Sequence, residues 1–172
     1  LKRPRSVCAL ATTVFSSLSG FNNTGTVSAN RAAERRQGNE SQTRGSHDQE
    51  GTNQFAVGVH NLNAGVSLTG SNQLTTGTLN VNTPLTTVAF TQSGGTLQGT
   101  SSFTTTGVYT WTAGTMTQAG TTNANGGLQL SGGTVDVTGG RILNLPSTTT
   151  MGGSAVVRLG TGATGNNSGT WD

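Results

Sequence analysis

The sequence predicts an all-β protein built as a solenoid, in which short strands form coils of about 19 residues that stack on one another. Three features predict this fold class. A Gly-Thr-apolar motif recurs at near-constant intervals, apolar and polar residues alternate inside each interval, and glycine pairs separate the alternating segments. Alternation with a period of two is typical of a strand with one buried face, and a fixed longer period is typical of a repeat architecture.

The recurring motif is Gly, then Thr or Ser, then a residue that is usually apolar. The sequence numbers of its glycines rise in steps of 18, 19, 19, 20 and 16. Glycine is common here, at 27 of 172 residues, so a single match means little, but five near-equal intervals indicate a structural repeat. The occurrences are Gly77-Thr78-Leu79, Gly95-Thr96-Leu97, Gly114-Thr115-Met116, Gly133-Thr134-Val135, Gly153-Ser154-Ala155 and Gly169-Thr170-Trp171.

Within each unit, pairs of apolar residues flank one polar or small residue, as strands with one buried face require. Glycine pairs between these segments allow the positive φ angles that tight turns need. The alternating pairs are Leu79/Val81, Val88/Phe90, Tyr109/Trp111, Leu128/Leu130, Val135/Val137 and Leu143/Leu145.

A unit of about 19 residues cannot bury its apolar side alone, whereas stacked units bury a continuous core. Parallel pairing between successive coils then aligns equivalent residues in inward ladders about 4.8 Å apart. We predict one ladder of Leu79, Leu97, Met116, Val135, Ala155 and Trp171. We predict a second ladder of Phe90, Trp111 or Tyr109, and Leu130.

The composition agrees with a narrow interior. Charged residues are only 9% of the chain, and Leu, Ile, Val and Phe are about 19%. A charged side chain at an inward site would be an unpaired buried ion, which is costly. A sandwich of short antiparallel strands and a disordered low-complexity chain are the alternatives, but neither accounts for the regular recurrence.

The N-terminal third is irregular. Residues 1–20 are an irregular or weakly signal-like segment, and 21–30 are an isolated repeat-like stretch. Residues 31–54 are polar and charged, and we interpret them as an insertion or linker, with a reading-frame artefact as the alternative. Residues 55–172 are assigned to solenoid repeats, and we expect the chain to stop inside a repeat.

Most charged residues lie in the same N-terminal part. Eleven of the 15 charged residues lie in residues 1–50, and the four that follow sum to zero. The net charge of +3 therefore gives the repeats no basic track for nucleic acid. The single cysteine, Cys8, excludes an internal disulfide. No apolar run approaches the roughly 20 residues of a membrane-spanning helix.

Several stretches together are similar to the repeats of large bacterial surface proteins of the autotransporter and filamentous-adhesin type. The stretches are Phe21 to Val27, Gly107 to Met116, Gly120 to Thr122, Gly127 to Gly132 and Gly140 to Asn144. The resemblance is clearest over residues 77–172. It implies an exported right-handed parallel β-helix at the bacterial surface, associated with the outer membrane through parts outside this segment, that acts as a stalk or an adhesive surface.

No group of residues predicts catalysis. Asp136 and Arg141 lie in one repeat, but a carbohydrate-active β-helix needs a cluster of carboxylates, so we expect both to point into water, as a weak exposed pair at most. His47, Asp48 and His60 have no metal-ligand spacing. We therefore predict no catalytic, cofactor or metal site and a protein that is not an enzyme.

Two surface features have ordinary explanations. Thr110-Trp111-Thr112, Thr115-Met116-Thr117 and Thr148-Thr149-Thr150 could order water on an ice-binding face, but they do not recur in every unit, and threonine is common on strands. The sequons at Asn22, Asn39 and Asn166 are expected by chance in this composition.

The function expected from the sequence is therefore structural or adhesive. Outward Thr, Ser, Asn and Gln would offer many weak hydrogen bonds to a carbohydrate, to a host or neighbouring cell surface, or to another copy. Neither nucleic acid nor membrane insertion is expected. The alternatives are a fragment of a carbohydrate-active lyase or hydrolase and an ice-binding solenoid.

Overall fold

A computed structural model of the chain describes residues 11–15, 21–23, 26–28 and 51–172, with side chains from residue 52 onward. Within these ranges the chain forms 21 β-strands and no helix. No described segment is thus a helix that could cross a membrane. The all-β prediction is confirmed for the described residues.

The strands lie in three sheets. Sheet 1 contains β1 (Ala11–Phe15), β4 (Gly51–Phe55), β7 (Ser71–Leu74), β10 (Ala89–Gln92), β13 (Tyr109–Trp111), β16 (Leu128–Ser131) and β19 (Thr149–Gly152). Sheet 2 contains β2 (Phe21–Asn23), β5 (Val59–Leu62), β8 (Thr78–Val81), β11 (Thr96–Gln98), β14 (Thr115–Met116), β17 (Thr134–Val137) and β20 (Val156–Leu159). Sheet 3 contains β9 (Leu85–Thr87), β12 (Ser102–Thr105), β15 (Thr121–Ala124), β18 (Ile142–Leu145) and β21 (Thr164–Asn167). The paired strands β3 (Thr26–Ser28) and β6 (Ser67–Thr69) continue it, because β6 contacts β9.

The chain runs through sheets 1, 2 and 3 in turn and then returns to sheet 1, one strand further along. All pairs in the sheets are parallel. Phe90 pairs with Tyr109 and Tyr109 with Leu128, so the sequence number rises by 19 from one coil to the next. The predicted parallel β-helix, with coils of about 19 residues, is confirmed.

Aromatic rings fill the centre of the interior. The Phe90 ring centroid lies 4.8 Å from that of Phe103 and 5.4 Å from that of Tyr109, both edge-on. The Tyr109 hydroxyl donates to Gln92 Oε1 at 2.6 Å, and Trp111 Nε1 donates to the Ala113 carbonyl at 3.0 Å. The few polar atoms brought inside by these large side chains therefore have partners, as burial requires.

The first predicted ladder is correct through Leu79, Leu97 and Met116, and wrong beyond them. Met116 pairs with Val137 rather than with Val135. Trp111 still pairs with Leu130 at the regular coil length, so two extra residues enter the coil between Leu130 and Val137. The Gly-Thr motif still recurs after the regular 19 residues here, from Gly114 to Gly133, so its spacing does not reveal the two extra residues.

The other ladder assignments are also corrected. Leu159, not Ala155, pairs with Val137, and Trp171 forms a bridge to Thr149 beside sheet 1. Phe90 pairs with Tyr109, whereas Trp111 pairs with Gln92 and Leu130. The second ladder is therefore two adjacent ladders, because residues two apart on one strand face the same interior.

The predicted insertion is shorter at its C-terminal end than expected. Strand β4 begins at Gly51, so residues 51–54 belong to the solenoid. Strands β1, β2 and β3 pair with β4, β5 and β6. The paired residues are 40, 39 and 41 positions apart in sequence, about one coil length more than the separation between other paired strands. The repeat-like stretch at 21–30 thus contains solenoid strands, and the rest of the predicted insertion lies outside the described residues.

Glycines are required where successive coils turn at the same corner. Gly95 has a φ of 64°, and a Cβ atom built there would lie 2.7 Å from the Gly77 carbonyl oxygen. Both the conformation and the close approach exclude a larger residue at this point. Stacking therefore requires the motif glycine at Gly77, Gly95 and Gly114, whereas a Cβ atom at Gly133 or Gly153 would meet nothing within 4 Å.

Candidate binding faces

Threonines form a straight column on the outer face of sheet 2. Thr78 pairs with Thr96, and Thr96 pairs with Thr115, in three consecutive coils. Each is the Thr of the repeat motif, and it points outward because the apolar residue after it points inward. The column continues with Asp136 and Arg158.

A second outward column lies beside it, two residues further along each strand. Asn80 Nδ2 donates to Asn61 Oδ1 at 2.7 Å, and Thr138 Oγ1 donates to Thr117 Oγ1 at 3.1 Å. Side-chain hydrogen bonds between coils hold these groups in fixed positions. The face therefore presents an ordered, mostly uncharged array of hydrogen-bonding groups.

Sheet 3 carries an asparagine ladder on its outer face. Asn123 Nδ2 donates to Thr104 Oγ1 at 3.1 Å, Asn144 Nδ2 to Asn123 Oδ1 at 2.7 Å, and Asn166 Nδ2 to Asn144 Oδ1 at 2.9 Å. Each bond runs from a later coil to the coil before it. The ladder thus links four coils and leaves the second amide hydrogen of each asparagine for an outside partner.

Apart from the exposed Asp172 at the end of the chain, the charged side chains on the described outer faces form one ion pair. Arg158 Nε and Nη2 donate to the two Asp136 carboxylate oxygens at 2.6 and 2.8 Å. These hydrogen bonds hold the pKa of the Asp136 carboxyl below its usual range and raise that of the Arg158 guanidinium. The expectation of an exposed pair between Asp136 and Arg141 is wrong, because the partner of Asp136 comes from the next coil.

Arg141 is buried, contrary to the sequence prediction. Its Nε donates to Thr122 Oγ1 at 3.0 Å, and its Nη1 donates to the Gly99 and Thr117 carbonyls at 3.2 and 3.1 Å. The side chain therefore links its own coil to the two coils before it. Burial lowers the pKa of this guanidinium to about 10, so it remains charged at neutral pH. Polar alternation does not reveal this, because the pattern assigns any charged residue to the surface.

The histidines do not form a site in the described structure. His60 is buried, and its ring packs edge-on against Phe55 at 5.6 Å. Burial lowers the pKa of His60. His47 and Asp48 lie outside the described residues, and among those described no three His, Cys, Asp or Glu side chains are grouped to hold a metal ion.

The three Thr-x-Thr motifs are divided between two faces. Thr110 and Thr150 lie on strands of sheet 1, whereas Thr115 lies on sheet 2. They therefore form no common array. Of the sequons, Asn166 is exposed on β21, Asn22 lies on β2, whose side chains are not described, and Asn39 lies outside the described residues.

A shallow notch of about 190 Å³ lies at the corner between sheets 3 and 1. Val108 and Leu128 supply its apolar wall, and Gln129, Thr148 and Thr150 supply polar groups. Gly126 and Gly127 also line it. It is the size of a small side chain or substituent.

Taken together, the outer faces of sheets 2 and 3 can donate and accept hydrogen bonds at intervals of about one strand spacing, with little net charge. Sequence reasoning missed the threonine column, although the repeat motif places a Thr at the same site in three consecutive coils. The feature of the sequence that indicates this column is the Thr of the repeat motif, because these threonines pair with one another between coils. The Thr-x-Thr spacing does not indicate it. Comparison of the chain with protein-family models, with curated proteins and with solved structures finds no match.

Proposed function

We propose that this chain is a non-enzymatic structural and adhesive segment of an exported bacterial surface protein. In this role the stacked coils form a rigid rod, and the outer faces of sheets 2 and 3 bind a neutral partner. The observation that carries the proposal is the combination of unbroken parallel sheets with ordered, almost uncharged polar columns.

Rigidity follows from the way the coils are joined. Each interior strand of sheet 1 is hydrogen-bonded to a strand on both sides, and the seven strands span about 29 Å at ~4.8 Å per strand. Arg141 and the asparagine ladder add side-chain links between coils. Bending the rod would break several of these bonds at once, so the segment suits a spacer or stalk.

The surface chemistry favours a hydroxyl-rich partner such as surface carbohydrate. Asparagine and threonine side chains exchange hydrogen bonds with sugar hydroxyls without needing charge. After residue 50 the chain contains two arginines and no lysine; Arg141 is buried and Arg158 is paired with Asp136. On the repeats after residue 50 a phosphate backbone would therefore find no row of free cations, so nucleic acid is not proposed as a partner of this part of the chain. Self-association remains within the proposal, since a second copy presents the same groups.

The location is proposed from the resemblance of the repeats to bacterial surface proteins. A composition rich in Thr, Asn and Gly, with its one cysteine outside the repeats, is compatible with an extracellular setting. Neither the surface location nor the adhesive role depends on residues 29–50.

A binding experiment tests the proposal. The purified chain is applied to an array of neutral and acidic glycans, with Asn123→Ala/Asn144→Ala as the variant and Gln129→Ala, on the exposed face of sheet 1, as the matched control. We expect binding to neutral glycans that changes little with salt, is reduced in the variant and is retained in the control. Binding only to acidic glycans, or equal binding by all three proteins, would contradict the proposal.

Two alternative functions make different predictions. A carbohydrate-active enzyme needs a second carboxylate beside Asp136, where the structure places Arg158; release of reducing ends from a polysaccharide would support it. The column of Thr78, Thr96 and Thr115 is the observation that favours ice binding, and thermal hysteresis measured on the same preparation would support that function.

A further inference from the structure

One asparagine is placed differently from those of the ladders. Asn125 is exposed in the turn between β15 and β16, and it precedes Gly126 in the one Asn-Gly pair of the described repeats. The turn is closed by a hydrogen bond from the Gly127 N–H to the Ala124 carbonyl at 3.1 Å. The side-chain amide of Asn125 has no hydrogen-bond partner among the described residues, unlike the amides of Asn123 and Asn144.

Packing between coils requires the glycine at 126. A Cβ atom built there would overlap the backbone of Gly107 and the Thr106 carbonyl oxygen of the preceding coil. The fold therefore keeps a peptide nitrogen without side-chain hindrance directly after Asn125. The Gly126 N–H has no acceptor in the described part of the chain, so its nitrogen is not held in the ladder of the sheet.

We propose that Asn125 is a site of spontaneous covalent modification, in which its side-chain amide converts to aspartate and isoaspartate. The Gly126 nitrogen loses its proton to water or hydroxide and attacks Asn125 Cγ. The Cγ–N bond breaks, ammonia leaves, and a five-membered succinimide forms. Water then opens either carbonyl of the ring, which gives aspartate or, when the main-chain carbonyl is attacked, isoaspartate. No oxidant or reductant takes part.

The modification would change the surface at the corner between sheets 3 and 1. Residues 51–172 carry four charges that sum to zero, so one new carboxylate makes this part of the chain net negative. Isoaspartate also adds one carbon to the backbone of a turn that is packed against Gly107. The corner next to the Val108 notch is thus the place where the surface changes with the age of the molecule. This inference does not rest on the adhesive function.

The experiment incubates the full chain at mildly alkaline pH and follows each asparagine by peptide mapping and mass spectrometry, with an isoaspartate-specific methylation assay. A synthetic peptide covering residues 121–130 is incubated in parallel, and Asn125→Gln is the matched variant. We expect Asn125 of the full chain to convert, with isoaspartate among the products, and to convert faster at higher pH. In the variant, the proteolytic peptide that contains position 125 should give no isoaspartate signal.

Two results would overturn the proposal. The first is an unconverted Asn125 in the folded chain after the peptide has reacted, which would show that the turn holds the nitrogen away from Cγ. The second is conversion of Asn123 and Asn144 as fast as that of Asn125, which would show that the ladder gives no protection.

Discussion

Replacement of Arg141 tests whether this arginine is buried in the interior of the solenoid and contributes to its stability. The Arg141→Met substitution keeps most of the side-chain length but removes the charge and the donors to Gly99, Thr117 and Thr122. Arg141→Ala removes the same groups and also leaves a cavity. The difference between the two variants therefore separates the electrostatic contribution from the packing contribution.

The magnitudes follow from the pKa and the hydrogen bonds. Lowering the pKa of Arg141 from 12.5 to about 10 means that the interior disfavours the charged form by about 3 kcal/mol. Methionine removes this penalty, but the Gly99 and Thr117 carbonyls lose a donor at a cost of ~1–3 kcal/mol each. These effects nearly offset one another, so we expect Arg141→Met to lie within ~3 kcal/mol of the wild type. The cavity should make Arg141→Ala at least ~2 kcal/mol less stable than Arg141→Met.

The assay is unfolding in urea at neutral pH, monitored by circular dichroism. Free energies of unfolding are compared between proteins that show the same dependence on urea concentration. Arg158→Ala, at an exposed position, is the matched control and should change stability little. Equal stability of the wild type, Arg141→Met and Arg141→Ala would refute the reasoning, because it would place the Arg141 side chain in water.

Three further predictions concern other parts of the rod. Because burial lowers the pKa of His60 below its ordinary 6.5, the contribution of the neutral His60 side chain to stability should be complete above pH 6.5 and decline as the pH falls toward the folded-state pKa. The melting temperature of His60→Leu, measured against pH, should not show this decline, and a profile equal to that of the wild type would contradict the prediction. Gly95→Ala should lower the free energy of unfolding, measured in urea, by more than ~1 kcal/mol. Gly133→Ala, where a Cβ atom meets nothing within 4 Å, should lower it by less, and equal losses in the two variants would contradict this prediction. Asp136→Asn should barely change the melting temperature, because the pair with Arg158 is exposed, and a large loss in calorimetry would show that the pair is structural.

The sequence predicted the fold because the repeat and the alternation are both local signals of stacked strands. It placed Leu79, Leu97 and Met116 in one ladder correctly, since the coils there have nearly equal length. It failed at Val135 because two extra residues shift the register without disturbing the alternation. Register depends on pairing between coils, and the spacing of one motif does not report that pairing.

The outer faces could be predicted only in part. Their polar, uncharged character follows from composition, and the inward direction of the apolar residues fixes the outward direction of Thr96 and its equivalents. The bond from Asn144 to Asn123 and the pair of Asp136 with Arg158 join residues 21 and 22 positions apart. Arg141 was misplaced because three polar groups from other coils make its burial tolerable.

Disulfide trapping between neighbouring coils tests the parallel solenoid most directly. In a chain with Cys8→Ser, Thr96→Cys/Thr115→Cys joins two outward positions that pair across sheet 2, within the Cα distance that a disulfide allows. Thr96→Cys/Asn123→Cys, which places the second cysteine on sheet 3, is the control. The solenoid predicts rapid oxidation of the first pair and none within a monomer of the second. Failure of the first pair to form, or equal oxidation of both, would contradict the stacked parallel coils.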